Sequence, residues 1–374
     1  MKYDIAAFIW PSYTGDEPRT RIFWPEGYGE WQTVKAMTNK GYDGCRWPRI
    51  PTWGYVNEAD NRVMEMQIDC AVSHGVNVFI YDWYWYDNRP FLENCLNDGF
   101  LKARNNKDMK FMLMWANHHA THLWDKRNSD NDLDTIIWQG TVTPDVFSSI
   151  CDRTIEKYFK QENYYCIDGC PVYMIFDLDN FLRSFGTSQE SKKALDEFRR
   201  KTVEAGFNGL HFQVVHWSGR YYGWLNDDDD CKGATLSELY DYLGIDSVTN
   251  YNWGGCAHLD GEYKDVTDEY VKNIVTESEK IHIPFYPNIS VGWDNNVRFF
   301  DFVPGVVKNN PPGLFKEACE KIKAFADDSM KKGIMKAPFI TVNSWNEWTE
   351  TSYLQPDDLY GYGYLEAIRD VFVK

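Results

Sequence analysis

The sequence predicts an α/β fold: a single (β/α)₈ TIM barrel with long loops after strands 1 and 3. Short runs rich in β-branched and aromatic residues alternate with longer segments of helical period along the whole chain. The length of 374 residues suits a decorated barrel, and no linker rich in Pro, Gly or Ser divides it. Trp10-Pro11-Ser12-Tyr13, after the first run, lacks the glycines that an open doubly wound sheet uses to bind phosphate. We therefore expect residues 1–374 to form one domain.

Eight runs have the length and composition of buried strands. In chain order they are Asp4–Trp10, Val76–Trp83, Lys110–Trp115, Val172–Leu178, Gly209–Val215, Asp246–Tyr251, Ile283–Val291 and Phe339–Trp345. Apolar residues at helical spacing predict helices near Arg62–His74, Pro90–Arg104, Pro144–Phe159, Ser188–Ala205, Thr235–Leu243, Thr267–Ile281, Gly313–Lys332 and Gly361–Phe372. Start and stop signals support several of them, such as Thr143 before Pro144 and the glycines Gly75, Gly206 and Gly333.

Two segments are longer than ordinary connections between a strand and a helix. They are Pro11–Asn61 after the first strand and Asn117–Thr143 after the third. Long loops in compact domains are usually functional. We expect these two to build the walls of a cleft.

The charge balance excludes some classes of partner. The net charge is -17, from 56 acidic and 39 basic residues, which disfavours binding to nucleic acid or to an anionic membrane. The chain shows no secretory leader pattern and no apolar stretch long enough to span a bilayer. These features predict a cytoplasmic protein, and they leave the oligomeric state open.

The sequence predicts no cofactor and no metal. The nine cysteines are scattered, and Cys166 and Cys170 form a close pair without the second pair of a zinc site. His118, His119 and His122 could hold zinc with a third ligand from another strand, but the glutamate of a metalloprotease motif is absent. We favour His118 as a hydrogen-bonding group for a ligand.

Aromatic residues are concentrated where a barrel carries its active site. The chain has 16 Trp, 24 Tyr and 22 Phe, and a tryptophan closes or follows seven of the eight predicted strands. Catalytic residues of such barrels lie at the carboxyl ends of the strands. Flat amphipathic rings with neighbouring Asn, Asp and His side chains are the expected lining of a sugar site. The predicted substrate-binding residues are Trp10, Tyr13, Trp53, Tyr55, Asp82, Trp83, Trp85, Trp115, Asn117, His118, His216, Trp217, Asn252, Trp253, Trp293, Asn346, Trp348 and Tyr353.

An alternative reading applies to each of these residues. A single tryptophan at a strand end can equally be part of the core. Asp82 and His216 can equally belong to a satisfied buried network. The substrate would be an oligosaccharide or polysaccharide.

Glu347 and Glu350 are the predicted catalytic pair. They follow the last strand in Asn346-Glu347-Trp348-Thr349-Glu350, and two acids three residues apart share a face if the chain turns helically. Close carboxyl groups split their pKa values, so that one serves as an acid and the other as a base. A conventional retaining pair flanks the anomeric carbon from opposite faces, whereas two acids on one turn approach from the same side. This spacing favours a retaining route in which one carboxylate deprotonates the substrate's own 2-hydroxyl.

The chain resembles the glycoside hydrolase family 99-like group, also described as WbsX-like. The stretches that carry the resemblance are Gly29-Glu30-Trp31, Pro48-Arg49-Ile50-Pro51, Trp53-Gly54-Tyr55, Met66-Gln67-Ile68, His74-Gly75-Val76, Tyr81-Asp82-Trp83-Tyr84-Trp85, Met114-Trp115-Ala116-Asn117-His118 and Ser344-Trp345-Asn346-Glu347-Trp348-Thr349-Glu350. The resemblance implies a retaining glycoside hydrolase related to bacterial endo-α-mannosidases, acting through a 1,2-anhydro-sugar intermediate. It implies that Glu347 is the base on the 2-hydroxyl and Glu350 the acid/base.

The chain departs from that family pattern at two positions. Thr351 stands where Gly is usual, and Gln355 stands where Glu is often found. The WbsX description also implies an alternative, a glycosyltransferase in polysaccharide biosynthesis, for which Asp177-Leu178-Asp179 is the one well-placed D-x-D motif. A non-catalytic glycan-binding relative is the third possibility.

Overall fold

The computed structural model describes residues 2–15, 17–42, 44–46, 49–124, 126 and 132–373. Pro48 of the quoted motifs lies outside them. Eight parallel strands form a barrel, which confirms the predicted fold class. In chain order they are β1 Asp4–Ile9, β2 Val78–Tyr86, β3 Lys110–Trp115, β4 Cys170–Ile175, β5 His211–Val215, β6 Ser247–Thr249, β7 in two segments Phe285–Tyr286 and Asn288–Ser290, and β8 Phe339–Asn343.

Neighbouring strands pair around the barrel in the order β6, β5, β4, β3, β2, β1, β8. Strand β7 lies between the two ends of that series. Its first segment pairs with β6 and its second with β8. Pro287 separates the two segments because proline has no N–H to donate to a ladder, although its carbonyl accepts from the Thr341 N–H at 3.1 Å. The sheet therefore closes through β7.

Helices surround the barrel and cover its apolar faces. The α-helices of the described residues are α1 Trp31–Lys35, α2 Asn61–Ser73, α3 Pro144–Thr154, α4 Leu178–Phe185, α5 Ser188–Glu204, α6 Leu236–Leu243, α7 Tyr263–Lys280, α8 Pro312–Lys331 and α9 Gly363–Phe372. Every residue of β2 and of β8 is buried, as expected for strands enclosed on both faces. None of these helices combines the length and apolarity needed to cross a bilayer.

Two sequence predictions of elements were wrong. The helix predicted over Pro90–Arg104 is instead a hairpin strand, Arg89–Phe91, followed by one π-helical turn, Cys95–Phe100. The hairpin forms because Asp87 and Asn88 adopt positive φ angles of 54° and 57°, the backbone of a two-residue turn.

The predicted strand Val172–Leu178 ends earlier than expected. Helix α4 begins at Leu178 because the Asp177 side chain accepts from the N–H groups of Asp179 and Asn180 and so caps the helix. The sequence did not predict this helix, because polar capping residues just after a strand have the composition of a loop.

The two long loops lie at the carboxyl ends of their strands, as predicted. After β1 the chain forms a 3₁₀ turn, Pro18–Ile22, and α1 before α2 begins. After β3 it forms a small antiparallel pair, Ala120–Thr121 with Ile136–Trp138. Both loops add aromatic side chains above the barrel rim.

Candidate active site

A pocket of about 220 Å³ opens at the carboxyl end of the barrel. Active sites of this fold lie at that end. Side chains from most of the strand ends converge on the pocket. Its lining consists of Trp10, Asp82, Tyr84, Met114, Ala116, His118, Leu123, Trp124, Phe176, Tyr251, Arg298, Glu347 and Glu350.

The two predicted catalytic acids lie on one short hairpin. Residues Asn346–Glu347 pair with Ser352–Tyr353, and a 3₁₀ turn, Trp348–Glu350, joins them. Thr351 closes the turn at φ 50°, a conformation that favours glycine, and its hydroxyl donates to the Asp294 carbonyl at 3.1 Å. The predicted helical turn is therefore a tighter one, and it brings both acids to the same pocket.

Asn346 fixes the position of this hairpin against β1. Its side-chain oxygen accepts from the Trp10 N–H, and its amide donates to the Trp10 carbonyl, both at 2.8 Å. The same amide lies 2.8 Å from Glu58, which also accepts from Gln67 and Gln355. Asn346 therefore ties the hairpin of Glu347 and Glu350 to β1 and to Glu58.

One guanidinium faces a cluster of three carboxyl groups at the pocket floor. Arg298, only 4% exposed, lies 3.1 Å from Glu350, 3.4 Å from Glu30 and 3.8 Å from Glu347. Glu30 also accepts from the indole N–H of Trp10. Because one cation faces three acids, the cluster carries excess negative charge or retains protons.

Burial raises the pKa of both predicted catalytic carboxyls. The pKa of Glu347 rises well above its ordinary value through burial and through the nearby charge of Glu350. Burial also raises the pKa of Glu350, but the hydrogen bond and charge of Arg298 oppose that rise. The ligand-free molecule therefore favours the proton on Glu347 and the negative charge on Glu350.

Tyr251 connects Glu347 to a third acid. Its hydroxyl lies 3.2 Å from Glu347 and 3.3 Å from Asp82. Burial raises the pKa of Asp82 well above its ordinary value. Since the hydroxyl has a single proton, it can donate to one carboxyl while accepting from the other. Asp82 in its protonated form can thus donate to Tyr251, which leaves the tyrosine proton for Glu347.

Three buried carboxyl oxygens of the pocket have no hydrogen-bond partner among the described residues. They are Oδ1 of Asp82, Oε2 of Glu347 and Oε2 of Glu350. An unsatisfied buried polar atom costs about 1–3 kcal/mol. A ligand with several hydroxyl groups would satisfy these acceptors.

His118 adds a polar group to the opposite wall. Its Nδ1 lies 2.9 Å from the His119 carbonyl, to which it can only donate, so the neutral ring presents Nε2 as an acceptor. Burial lowers the pKa of His118, which favours this neutral form. Tyr84 and Trp124 pack edge to face on its ring, and Trp10 packs against both of them to complete an aromatic wall.

Of the predicted site residues, Trp10, Asp82, His118, Glu347 and Glu350 line the pocket together. Tyr13 lies just beneath, where its hydroxyl accepts from the Trp348 N–H at 3.2 Å. Trp217 contacts the pocket residue Phe176 from outside.

Most of the other predicted residues lie in the support around the pocket. Their polar groups already have protein partners or their rings pack on neighbouring rings. The hydrogen-bonded pairs are Trp53 with Tyr362, Trp83 with Glu93, Asn117 with Asp177, His216 with Tyr240 and Glu277, Asn252 with Gly254, and Tyr353 with Asp357. The packed rings are Trp115 on Phe147, Trp253 on Tyr270, and Trp348 on Tyr353.

Three further predicted residues, Tyr55, Trp85 and Trp293, also lie outside the pocket lining. Side chains alternate across a strand, so Trp83 and Trp85 face away from the pocket that Tyr84 lines. The alternation explains why a tryptophan at a strand end so often belongs to the support.

Sequence reasoning missed several residues of the site. Arg298 and Glu30 hold the acids, and Tyr84, Trp124 and Tyr251 line the pocket. Glu30 had a signal, since it lies in one of the family-like stretches. Arg298 had none, because its 3₁₀ turn follows β7 in a segment without a recognisable pattern.

Solved structures with the same architecture include sugar-cleaving enzymes. A protein described as glycoside hydrolase-like has a TM-score of 0.59 and 15% identity, covering 99% of this chain and 94% of that one. The family 99 endo-α-mannosidase of Bacteroides thetaiotaomicron has a TM-score of 0.54 and 12% identity, covering 98% and 95%. These likenesses establish the fold.

Sequence comparisons give two relatives and one family model. Uncharacterized protein WxcX from two strains of Xanthomonas campestris pv. campestris is 21% identical over 387 residues, which cover 99% of this chain and 50% of the relative. The chain thus spans about half the length of the curated relatives it matches. The family model described as glycosyltransferase WbsX matches residues 5–368. The chain therefore belongs to this WbsX family.

Proposed function

We propose that residues 1–374 form a single catalytic domain that cleaves a glycosidic bond in an oligosaccharide or polysaccharide with retention of configuration. One observation carries the proposal. Glu347 and Glu350 lie on one hairpin, within 4 Å of the same guanidinium, and each has an unpartnered oxygen at the pocket. A pair of carboxyl groups carries out catalysis in most glycoside hydrolases.

The hairpin supports participation by the substrate's 2-hydroxyl. Two acids on one turn can reach neighbouring oxygens of one sugar unit, Glu347 the 2-hydroxyl and Glu350 the leaving oxygen. Glu347 removes the 2-hydroxyl proton, the 2-oxygen attacks the anomeric carbon, and Glu350 protonates the leaving oxygen as its bond to that carbon breaks. Water then opens the resulting 1,2-anhydro sugar, giving its proton to Glu350, while Glu347 returns a proton to the 2-oxygen. Two inversions at one carbon give net retention.

This assignment requires the proton of the pair to change position when substrate binds. Without ligand the proton is favoured on Glu347, whereas the reaction needs it on Glu350. A 2-hydroxyl that donates to Glu347, together with the Tyr251 hydroxyl 3.2 Å away, favours the charge on Glu347. The proton then resides on Glu350, beside the leaving oxygen, where acid catalysis uses it.

A nucleotide-sugar transferase is the second candidate, favoured by the description of the family. Its D-x-D motif has other contacts in this chain. Asp177 caps α4 and pairs with Arg220 at 3.0 Å, while Asp179 pairs with Arg183 at 2.7 Å. Neither aspartate lines the pocket. The contacts of the motif therefore support a structural role more than a metal-binding one.

The proposed function is tested with a panel of glycans and mass spectrometry of released products. Glu347→Gln and Glu350→Gln should fold normally and lose about 10²–10⁴-fold or more in turnover. Asp177→Asn is the matched control, because it removes a strand-end carboxylate outside the pocket while keeping a good helix cap. Near-wild-type turnover in either glutamine variant would refute the assignment.

Two further measurements separate the alternatives. A substrate that lacks the 2-hydroxyl should not be cleaved, whereas a conventional double displacement would still form a glycosyl-enzyme. A nucleotide sugar with Mn²⁺ should raise the melting temperature of a transferase, and Asp177→Asn should abolish that shift. Glycan binding without any product would indicate a non-catalytic relative.

A further inference from the structure

A second groove lies beside the pocket, on the other side of the same wall. It has a volume of about 270 Å³. Strand β2 continues beyond its last pairing with β3, at Trp83 opposite Trp115, and so rises above the barrel rim. The groove is lined by Trp85, Asp87, Asn88, Ile137, Trp138, Gln139, Thr141 and Val142.

The groove and the pocket share their walls. In β2, Tyr84 lines the pocket and its neighbour Trp85 lines the groove. In the loop after β3, Trp124 lines the pocket and Trp138 lines the groove. Tyr86 joins the two, since its ring stacks on Trp138 at 5.8 Å and contacts Trp124 at 6.4 Å. A chain molecule leaving the pocket over this wall would therefore enter the groove.

The groove contains a buried donor without an acceptor. Trp85 is 8% exposed, and its indole N–H has no hydrogen-bond partner among the described residues. Burying an unpaired donor is unfavourable, so such a group in a cavity wall points to a ligand acceptor. The neighbouring Trp83 of the same strand differs, since its indole N–H donates to Glu93 at 2.9 Å.

The surrounding groups match the chemistry of a neutral sugar. Asp87, Asn88 and Gln139 are exposed and offer both donors and acceptors. Asp87 and Asn88 form the tip of the hairpin, with the positive φ angles of a two-residue turn. Indole edges beside such polar groups suit a ring with apolar C–H faces and a rim of hydroxyls.

We infer that this groove is an outer subsite that holds a neutral sugar unit of the glycan beyond the units in the pocket. Trp85 donates to a sugar oxygen there, and Trp138 packs against the ring. The inference rests on the proposed function for the identity of the ligand as a glycan. It adds that the protein prefers longer glycans to short ones.

Binding without turnover tests the subsite. The Glu350→Gln protein is presented to immobilised neutral oligosaccharides of mannose, glucose and galactose, from disaccharides to longer oligomers. Trp85→Phe, which removes only the indole donor, and Gln139→Ala, which alters an exposed side chain, are then introduced into it. Each should weaken binding of the longer oligomers about three- to tenfold, the value of one net hydrogen bond, and leave disaccharide binding unchanged.

The control is Trp224→Phe in the same background. It removes an indole N–H that donates to Asp179 at 2.7 Å, outside both cavities, and should leave the binding of every oligomer unchanged. Equal affinity of the two groove variants and the parent for long oligomers, or no preference of the parent for length, overturns the inference. Length-dependent binding lost in Trp85→Phe, with no hydrolysis by the wild-type protein, would instead overturn only the proposed function.

Discussion

Removal of the Arg298 guanidinium should destabilise the protein in a pH-dependent way. The side chain is 4% exposed and contacts three carboxylates, the closest being Glu350 at 3.1 Å. Breaking a buried ion pair by removing one partner costs about 3–5 kcal/mol. We expect Arg298→Met to lower the free energy of unfolding by that amount at about pH 7.5.

The pH dependence follows from the pKa of Glu350. Burial raises this pKa and Arg298 opposes the rise, so the variant's pKa lies higher than that of the wild-type protein. The folded variant then binds a proton that the unfolded chain has released, and its stability falls as pH rises. One extra proton corresponds to about 1.4 kcal/mol per pH unit. The destabilisation should therefore shrink as pH falls from about 7.5 to 5.5, by at most about 1.4 kcal/mol for each pH unit.

Urea unfolding followed by tryptophan fluorescence at both pH values measures the effect. Arg46→Met is the control, since Arg46 forms an ion pair with Asp358 but is 56% exposed. Exposed pairs contribute about 0.2–1 kcal/mol, with little dependence on pH in this range. A cost for Arg298→Met that is the same at both pH values would refute the reasoning about the cluster.

Three other substitutions test the support of the site. Gly29→Ala should lower the free energy of unfolding by several kcal/mol, because Gly29 has a φ of 62° and an added Cβ would lie 1.6 Å from the Ser12 carbonyl oxygen. It should also lower activity, since the neighbouring Glu30 would be displaced. Gly54→Ala, with a φ of 75° and no atom within 4 Å of the added Cβ, should cost only about 1 kcal/mol in the same melting assay. Burial raises the pKa of Glu58 to about 7, so this one group should contribute a loss of roughly 3 kcal/mol of stability as pH rises from about 4.5 to 7. Glu58→Gln should reduce the pH dependence of stability in urea unfolding by that contribution; an unchanged slope would contradict the assignment.

The barrel could be predicted from sequence because its signal is repeated. Short apolar runs alternate with helical segments eight times along the chain. An error in the end of one strand or helix therefore does not alter the predicted fold class. The elements that failed depend on local backbone chemistry. The turn at Asp87 and Asn88 and the cap at Asp177 use polar residues that sequence patterns assign to loops.

Residues of the candidate site could be predicted only where they lie at the end of a strand or directly follow it. Glu347 and Glu350 follow β8 directly and were found by position and spacing. Tyr251 lies at a strand end but was not distinguished from its neighbours. Arg298 reaches the acids from a 3₁₀ turn beyond β7, and a contact between residues 52 positions apart leaves no trace in a single sequence.

The two departures from the family pattern lie on the hairpin that carries Glu347 and Glu350 and just after it. Thr351 holds the positive φ that glycine would adopt, and its hydroxyl offsets part of the strain by donating to the Asp294 carbonyl. Gln355 donates to Glu58 at 2.8 Å and accepts from the Trp348 indole at 2.7 Å. A glutamate at position 355 would place a second buried carboxyl beside that of Glu58, and one of the two would have to hold a proton. Neither Thr351 nor Gln355 lines the pocket, so both departures act on how the hairpin is held.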